Sequence, residues 1–387
     1  MPYSSRDALY CHALCRDALP TARAVLAALP WRRTDGLCLG SGTLTAPARF
    51  APSDALAWAS LRDLMAARFH GSAAQVFVGA AGIAVRAIAP YLVHKSRDPA
   101  VLVIDPAGRH VISLLSGHWG DANGLARHLA RALGGEPVVT TASDTLSRPA
   151  LDMAVRRAGL RLLDWDRLPA VQAALLDSRP VRLSDPLRRL PSLPGFLPSG
   201  VPPAEGDPLP SVCVHWQALP PAPERVRVAV PCLVLGVGCR KDMDTALLRE
   251  SFLDFCRTVG VAPEAVAALA TVTEKCREPA IAALAAERTV PVCDFSAQAL
   301  AGVRTPHPSA AAGRRFGLPA FSVCEAAALL GANARSLLVP KTVMHGCLTF
   351  ALALESARGM PYSFPHRWEI RRKTGCSPEH LPRFPRK

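Results

Sequence analysis

Two hydrophobic patterns alternate along residues 1–145 of the chain. Short apolar runs, such as residues 75–78 and 101–104, are typical of buried strands, whereas the apolar spacing of residues 122–133 is typical of a helix. The helical pattern stops at Gly134-Gly135, and glycine often follows a helix C-terminus. Because strands alternate with helices, we predict a largely parallel sheet.

The same patterns assign the elements of this N-terminal segment. Ser53 is a suitable N-cap for the second helix, and Pro90 ends the third. The predicted strands are residues 9–14, 37–39, 75–78, 101–104, 110–114 and 137–140. The predicted helices are residues 21–29, 54–69, 81–89 and 122–133.

The pattern changes beyond residue 145. Residues 151–185 have a helical, arginine-rich pattern, and residues 183–231 are so rich in proline that long helices and central strands are not expected there. We interpret the proline-rich stretch as a connector that contains one strand, VCVHW. A second alternation of strands and helices begins at Cys232, and the residues after 355 form a basic, proline-bearing tail.

These patterns predict an α/β fold with two or three domains. A Rossmann-like N-terminal α/β unit and a separate C-terminal α/β domain are joined by the proline-rich connector. The length of 387 residues agrees with this division, since single hydrophobic cores rarely grow beyond about 250–300 residues. The predicted segments are residues 1–145, 146–231, 232–355 and 356–387.

Composition narrows the class of protein. Half of the residues are hydrophobic and 20% are charged, which is typical of a globular chain. No apolar run reaches the ~18–20 residues of a membrane span and the N-terminus lacks the apolar stretch of a secretory signal, so we expect a cytoplasmic protein without a membrane partner. The 12 cysteines are scattered without a Cys-x-x-Cys pair, which predicts buried thiols in a reducing compartment and no bound metal.

The formal net charge of +14 predicts an anionic partner. Aromatic residues make up only 6% of the chain and no RNP, zinc-finger or helix-turn-helix pattern occurs, so nucleic acid is not the favoured partner. A small molecule with several carboxylates fits the charge at least as well. Arg240-Lys241, after a strand and a glycine turn, and Lys341, at the end of the last predicted strand, are candidate contacts for such an anion.

Ser116-Gly117-His118 is the strongest chemical candidate in the sequence. A hydroxyl and an imidazole two residues apart, in a turn between a strand and a helix, can activate a water molecule or orient a carbonyl group. The alternative is that Ser116 caps the next helix and that His118 is a solvated turn residue. The G-x-S-x-G pattern of a nucleophilic serine is absent, which favours activated water over an acyl-enzyme.

Glycine-rich turns follow two other predicted strands. Gly79-Ala80-Ala81-Gly82 and Gly236-Val237-Gly238 lack the spacing of a dinucleotide fingerprint, so no nucleotide cofactor is predicted. The backbone N–H groups of such turns can nevertheless bind an anion at the start of a helix.

Two polar pairs have a structural as well as a functional interpretation. Thr141 and Asp144 follow the last strand of the N-terminal segment, either as site residues or as a simple turn. Ser322 and Glu325 have the spacing of a capping box, so helix stability explains them.

Two blocks of the sequence, residues 75–144 and 232–353, contain the motifs of a known family. The first block includes VFVGAAGIAVRAIAP, VISLLSGHWGDANGLARHLA and PVVTTASD, and the second includes LVLGVGCRKDMD, ALATVTEKCREPAI, VRTPHPS, FSVCEAAALL and LLVPK. They resemble the two ends of the CbiG family, the cobalt-precorrin-5A hydrolases of anaerobic cobalamin biosynthesis, and CobE-like proteins share the second. Where the family has T-P-N-P-S-E, this chain has His307 for the asparagine and Ala310 for the glutamate.

The resemblance implies a hydrolase that opens the δ-lactone of a ring-contracted cobalt-corrinoid and releases the extruded two-carbon fragment as acetaldehyde. It implies no resident cofactor, because cobalt is carried by the substrate. The implied partners are the anionic cobalt-corrinoid and neighbouring enzymes of the pathway. A corrinoid-binding carrier without catalytic activity is the alternative.

The residue roles are hypotheses from side-chain chemistry, since the resemblance brings no catalytic assignment. His118 is our candidate general base, and Ser116 is our candidate for orienting the water or the lactone. Cationic side chains and backbone N–H groups are expected to hold the acetate and propionate arms of the substrate. The candidate substrate-binding residues are Gly79, Gly82, Arg86, Lys95, Thr141, Asp144, Arg240, Lys241 and Lys341.

Overall fold

The computed structural model of the protein describes most of the chain. The described residues are 8–32, 38–141, 150–199 and 209–355. The predicted basic tail, residues 356–387, lies outside them, and so does the predicted site residue Asp144.

The chain divides into two compact units. The first contains residues up to 232 together with residues 245–266 and 286–289. The second contains residues 233–244, 267–285 and those from 290 onward.

The N-terminal part of the first unit is built on a large sheet. The strands of this part are β1 (Leu9–Ala13), β2 (Trp31–Arg32), β3 (Cys38–Leu39), β4 (Gly42–Pro47), β5 (Leu56–Trp58), β6 (Ala74–Val78), β7 (Ala100–Ile104), β8 (His110–Leu115) and β9 (Glu136–Val138). The helices are α1 (Leu19–Ala27), α2 (Leu61–Arg68), α3 (Ala81–Ile88) and α4 (Ala122–Leu133). Seven strands form one sheet in the order β5-β4-β1-β6-β7-β8-β9, while β2 and β3 form a separate antiparallel pair.

One pairing in the large sheet runs against the others. Every pairing is parallel except that of β7 with β8, so the prediction of a largely parallel sheet is confirmed. A tight turn joins these two strands, in which the Asp105 carboxylate accepts hydrogen bonds from the backbone N–H groups of Ala107 (3.0 Å) and His110 (2.6 Å). The turn after β8 therefore lies at the opposite edge of the sheet from the turns after β1 and β6.

Two predicted elements of this segment need correction. The helix predicted at residues 54–69 begins only at Leu61, because the Ser60 hydroxyl caps it by accepting the backbone N–H of Asp63 (3.3 Å). The residues before it form the edge strand β5, which pairs in parallel with β4. The strand predicted at residues 137–140 begins and ends earlier, at Glu136–Val138.

Helices cover both faces of the large sheet. On one face, α1 and α4 contribute the buried side chains of Val25, Leu125 and Leu129. On the other face, α2 and α3 contribute Met65 and Ile88. β6 and β7 are buried along their whole length, which explains why their sequences are almost continuously apolar.

A buried polar network crosses the centre of this sheet, on strands β4, β1 and β6. The Nδ1 atom of His12 lies 2.7 Å from the Thr45 hydroxyl, and its Nε2 atom lies 2.6 Å from the Gln75 side-chain oxygen. The Gln75 oxygen can only accept, so Nε2 carries the ring proton and Nδ1 accepts from Thr45. The Trp58 indole donates to the same Thr45 oxygen (3.2 Å). The imidazole is satisfied as a neutral ring, and burial lowers its pKa from 6.5 to about 4.

We expect the lowered pKa of His12 to make the protein sensitive to acid. The unfolded chain takes up a proton on this ring below pH 6.5, whereas the folded chain takes it up only near pH 4. Stability therefore falls as the pH drops between these values, by roughly 3 kcal/mol in total from this group. Urea unfolding between pH 7 and pH 4 checks this: His12→Gln should lose less stability on acidification than the wild type. His70→Gln, which changes an exposed histidine, should behave as the wild type does, and equal slopes for all three proteins would contradict the prediction.

The rest of the first unit contains a second sheet. Its helices are α5 (Leu151–Arg157) and α6 (Leu168–Leu176), and its strands are β10 (Arg161–Leu162), β11 (Val181–Ser184), β12 (Phe196–Ser199), β13 (Ser211–His215) and β14 (Arg225–Ala229). The strand order is β10-β14-β13-β11-β12, and only β10 is antiparallel to its neighbour.

The proline-rich stretch predicted as a connector thus contains several strands: the end of β11 and all of β12, β13 and β14. The prediction of a single strand within it is wrong, because most of the prolines lie in the loops between strands. Pro198 lies within β12, an edge strand, where a missing N–H breaks no bond of the sheet interior.

The remaining elements follow residue 232. The helices are α7 (Thr245–Val259), α8 (Pro279–Arg288), α9 (Ala297–Ala301), α10 (Ala310–Phe316) and α11 (Val323–Ala332). The strands are β15 (Leu233–Cys239), β16 (Val266–Val272), β17 (Val292–Phe295), β18 (Val339–Met344) and β19 (Leu348–Leu354), in the sheet order β17-β16-β15-β19-β18. Helix α11 packs so closely on β15 that a Cβ at Gly236 would overlap the Cys324 carbonyl oxygen. Close helix–strand packing therefore requires this glycine.

Candidate active site

The turn that contains Ser116-Gly117-His118 is fixed by its backbone. Ser116 and Asp121 have positive φ angles (57° and 65°), which fold the chain back between β8 and α4. A Cβ at Gly120 would collide with Ser116, so only glycine fits there. The Ser116 hydroxyl donates a hydrogen bond to the carbonyl oxygen of Asp98 (3.1 Å). This bond ties the turn to the segment before β7, and the role of Ser116 in orienting water remains a prediction.

His118 lies beside a carboxylate that the sequence did not point to. Its Nδ1 atom is 3.4 Å from Oδ1 of Asp152, on helix α5. The two side chains are largely buried, with exposed fractions of 16% and 11%. The interpretation of His118 as a solvated turn residue is therefore wrong, because its ring lies against a buried carboxylate.

The next turn of α5 holds the two peptide groups that flank Trp119. The Arg156 guanidinium is buried and donates hydrogen bonds to the carbonyl oxygens of His118 (2.8 Å) and Trp119. The His118 carbonyl also accepts the backbone N–H of Asp121 (2.9 Å). Asp152 and Arg156 are four residues apart, so they lie on one face of α5 and both contact the turn that contains His118.

Aromatic rings line the space next to this turn. Trp119 and Trp165 pack edge to face, with ring centroids 4.7 Å apart and planes at 86°. The His94 ring also packs edge to face with Trp165, with centroids 5.7 Å apart, and the Lys95 ammonium lies 5.7 Å from the centroid of the same indole. The structure therefore brings the predicted substrate contact Lys95 to the same edge of the sheet as His118.

Asn123 connects a further predicted residue to the turn. Its side-chain oxygen accepts from the Ser113 hydroxyl (2.7 Å), and its side-chain nitrogen donates to the Thr141 hydroxyl (3.0 Å). Thr141 thus lies near Ser116 and His118. The Asn123 side chain, at the start of α4, therefore links β8 to the residues after β9.

Three predicted contacts lie at the opposite edge of the sheet. Gly79 and Gly82 follow β6, and the side chain of Leu14 fills the space beside Gly79, where an added Cβ would lie 2.8 Å from the Leu14 Cβ. The exposed Arg86 guanidinium donates to the Gly82 carbonyl oxygen (3.0 Å) of its own helix. The structure does not bring these three residues together with His118.

Arg240 and Lys241 are exposed in a loop of the second unit. A buried ion pair supports this loop: the Lys275 ammonium lies 2.7 Å from Oε2 of Glu278, whose other oxygen accepts the backbone N–H of Met243 (2.9 Å). The Lys275 ammonium holds the pKa of Glu278 below its usual value. The sequence pattern pointed to Arg240 and Lys241 but not to Glu278, whose carboxylate binds the backbone of this loop.

The capping box predicted at Ser322 and Glu325 is wrong. Ser322 is the N-cap residue of α11 but makes no cap hydrogen bond with its side chain. The fully buried Glu325 carboxylate instead accepts N–H bonds from the backbone and ring of His307 (3.0 and 2.9 Å) and from the backbone of Lys341 (2.9 Å). Burial acts to raise the pKa of Glu325, but these hydrogen bonds outweigh it and lower the pKa. These three N–H donors take the place of the Ser322 backbone N–H, which the Glu325 side chain would accept in a capping box.

The chemistry of the first-unit site follows from its contacts. A histidine backed by a carboxylate can take a proton from water, and the indole rings offer an apolar surface beside it. Lys95 can attract a carboxylate group at the same edge.

Among the described residues, no group of three or more histidine, cysteine, aspartate or glutamate side chains is placed to hold a metal ion. No helix of the described chain is long and apolar enough to cross a membrane.

Comparison with known proteins gives the family. The family model described as "Cobalamin synthesis G N-terminal" (CbiG_N) matches residues 63–144, and that described as "Cobalamin synthesis G C-terminus" (CbiG_C) matches residues 233–353. A cobalt-precorrin-5A hydrolase from Salmonella typhimurium is 36% identical over 249 residues, 59% of this chain and 67% of that protein. Another from Priestia megaterium is 28% identical over 309 residues, 76% of this chain and 82% of that protein.

Solved structures were also matched. A cobalamin biosynthesis protein G homolog from Sulfolobus solfataricus aligns with 91% of this chain and 98% of its own, at 17% identity and a TM-score of 0.37. CobE, a protein of the cobalamin pathway, aligns with 32% of this chain and 89% of its own, at 31% identity and a TM-score of 0.29.

The fold and the site define a multi-domain α/β protein in which a histidine of the N-terminal family block contacts a carboxylate from outside that block. The chain belongs to the CbiG family of cobalamin biosynthesis.

We predict that Arg156 stabilises the turn around His118. Arg156→Met removes the donors of two carbonyl oxygens and should lower the free energy of unfolding by about 2 kcal/mol. It should also speed hydrogen exchange at the Asp121 N–H, which shares the His118 carbonyl with Arg156. Arg157→Met, which changes the exposed neighbour on the same helix, is the matched control and should leave both quantities unchanged. Equal behaviour of the two variants would show that Arg156 does not hold the turn.

Proposed function

We propose that this protein hydrolyses the δ-lactone of cobalt-precorrin-5A, giving cobalt-precorrin-5B and acetaldehyde. The two curated relatives are both named cobalt-precorrin-5A hydrolase, and the first is 36% identical to this chain. The observation that carries the proposal is the contact of His118 with Asp152. His118 lies within the residues that match the family's N-terminal model, and Asp152 lies just beyond them. Such a pair can supply the base that a hydrolysis by water requires.

The first chemical step is the opening of the lactone. His118 takes a proton from a water molecule, whose oxygen attacks the lactone carbonyl carbon and forms a tetrahedral oxyanion. Collapse of this intermediate breaks the bond between the acyl carbon and the ring oxygen. The ring oxygen takes up the proton of the His118 imidazolium and becomes a hydroxyl. The acyl group is released as a carboxylic acid, which loses its remaining proton to solvent and becomes a carboxylate.

The second step releases the two-carbon fragment. The hydroxyl loses its proton to a base, the oxygen forms a carbonyl double bond, and the carbon–carbon bond to the macrocycle breaks. Its electron pair passes into the conjugated macrocycle, and acetaldehyde leaves. We propose that His118, neutral again after the first step, accepts this proton as well.

The side chains near His118 also suggest how the substrate binds. We propose that the macrocycle packs beside Trp119 and Trp165 and that Lys95 binds one of its carboxylate arms. Arg240, Lys241 and Lys341 remain proposed carboxylate contacts in the second unit. Cobalt enters as part of the substrate, and we propose no resident cofactor. Neighbouring pathway enzymes are proposed partners, because they supply the substrate and use the product.

The proposal is tested with purified protein and cobalt-precorrin-5A. We expect acetaldehyde, trapped as a hydrazone, and a corrinoid product that has gained water and lost the two-carbon fragment. In heavy-oxygen water, attack at the acyl carbon places the label in the new carboxylate. Tight binding of the corrinoid without a change in its mass would instead identify a carrier and overturn the proposal.

His118→Gln tests the assignment of the base. The variant retains a polar side chain but cannot accept the proton, so we expect kcat to fall by about 10²–10⁴-fold. His110→Gln, an exposed histidine at the start of β8, is the matched control and should retain full activity. Wild-type activity in His118→Gln would remove His118 from the mechanism without affecting the proposed reaction.

A further inference from the structure

We infer that Asp152 is a positioning residue that holds the proton of His118 on Nδ1 and leaves the lone pair of the neutral ring on Nε2. The catalytic part of this inference rests on the proposed function. The part that concerns the proton position does not, because it can be measured without substrate.

The Asp152 carboxylate is itself held in place. It lies in the first turn of α5, and its Oδ1 atom accepts the backbone N–H of Met153 (2.9 Å). Oδ1 is the same atom that lies 3.4 Å from Nδ1 of His118. An ionised carboxylate has no proton to donate, so an Nδ1 atom that faces it is favoured as the protonated nitrogen. The histidine tautomer is thus set by a group outside the turn that contains it.

Helix α5 also fixes the backbone to which the ring is attached. Arg156 binds the carbonyl oxygens of His118 and Trp119, one helical turn beyond Asp152. The ring is held through Nδ1 and its peptide through the carbonyl, both from one rigid element. Rotation of the ring about its Cα–Cβ bond would break the Asp152 contact and leave a largely buried carboxylate without this partner, which is unfavourable.

The charge of the Asp152 carboxylate gives the contact with His118 a chemical role as well as a structural one. When Nε2 takes a proton from water, the ring becomes a cation 3.4 Å from the Asp152 carboxylate. Attraction between the two charges stabilises the imidazolium and shortens the contact, as in other histidine–carboxylate pairs that act as bases. The other charged groups around this turn include Asp121 within it, Arg156 on α5 and Lys95 beyond Trp165. Of these charged groups, the Asp152 carboxylate is the one whose contact with the ring the structure gives.

The first test locates the proton by nitrogen NMR of the ligand-free protein, with histidine labelled by nitrogen-15. The resonances of His118 are assigned from those missing in His118→Gln. Above the pKa of the ring we expect the proton on Nδ1 in the wild type and in Asp152→Glu. In Asp152→Asn we expect this preference to be lost, because the amide can either donate or accept. A wild-type ring protonated on Nε2 would overturn the inference, whether or not the protein proves to be a hydrolase.

The second test separates kcat from KM for the hydrolysis of cobalt-precorrin-5A. Asp152→Asn should lower kcat by on the order of 10²–10⁴-fold with little change in KM. It should also lower the pKa of the base, read from the pH profile of kcat/KM, since the anion that favours the imidazolium is gone. Asp152→Glu keeps the charge and should recover part of kcat.

Asp177→Asn is the matched control, since Asp177 is an exposed carboxylate in the same segment and pairs only with its neighbour Arg179 in the contacts described. It should reproduce the wild-type profile. If Asp152→Asn retained both the kcat and the pH profile of the wild type, Asp152 would be a structural residue only. If the wild type released no acetaldehyde, the proposed function would fail, while the NMR result would still decide the proton position.

Discussion

The candidate site depends on one antiparallel pairing in an otherwise parallel sheet. Asp105 binds two backbone N–H groups and turns the chain directly from β7 into β8. β8 therefore runs back toward the edge where β7 begins, and Ser116 reaches the Asp98 carbonyl there. A crossover to a parallel β8 would have placed the same turn beside Gly79, at the edge where Leu14 fills the space. The direction of a single strand thus decides which side chains His118 can meet.

The turn itself has a backbone that is costly to form. Two residues other than glycine, Ser116 and Asp121, have left-handed φ angles, and such conformations cost of order 1 kcal/mol or more each. The hydrogen bonds of Arg156 to two carbonyl groups, and of Ser116 to Asp98, offset this cost. The geometry of the candidate site is therefore maintained by contacts from outside the turn, including those of Arg156 in the middle part of the first unit.

Local patterns predicted what is encoded locally. The buried strands β6 and β7, the helix α4 and its glycine C-cap at Gly134 are all where the sequence places them. The family resemblance is confirmed, and two of the predicted contacts, Lys95 and Thr141, lie near Ser116 and His118.

What the sequence did not predict depends on contacts between distant residues. Arg156 is 38 positions from His118, and the sequence around neither residue predicts the contact. The four-residue spacing of Asp152 and Arg156 was visible, but it is also the spacing of an ordinary solvated helix face. Glu325 has the local spacing of a capping residue, and only the arrival of His307 and Lys341 from other elements gives it a different role. The proline-rich stretch was misinterpreted for the same reason. An edge strand tolerates proline, but the strand order, which depends on contacts between distant residues, decides which strand lies at an edge.

The buried network of His12, Thr45 and Gln75 has a consequence for the specificity of folding. These residues lie on three adjacent strands, and a shift of β1 by one residue would turn His12 to the opposite face of the sheet. Apolar neighbours would tolerate such a shift, since one aliphatic side chain can replace another at modest cost. The network would not, because both ring nitrogens and both partners would lose their hydrogen bonds together. Its main contribution is thus to exclude misaligned sheets from the ensemble of compact states that this sequence could otherwise populate.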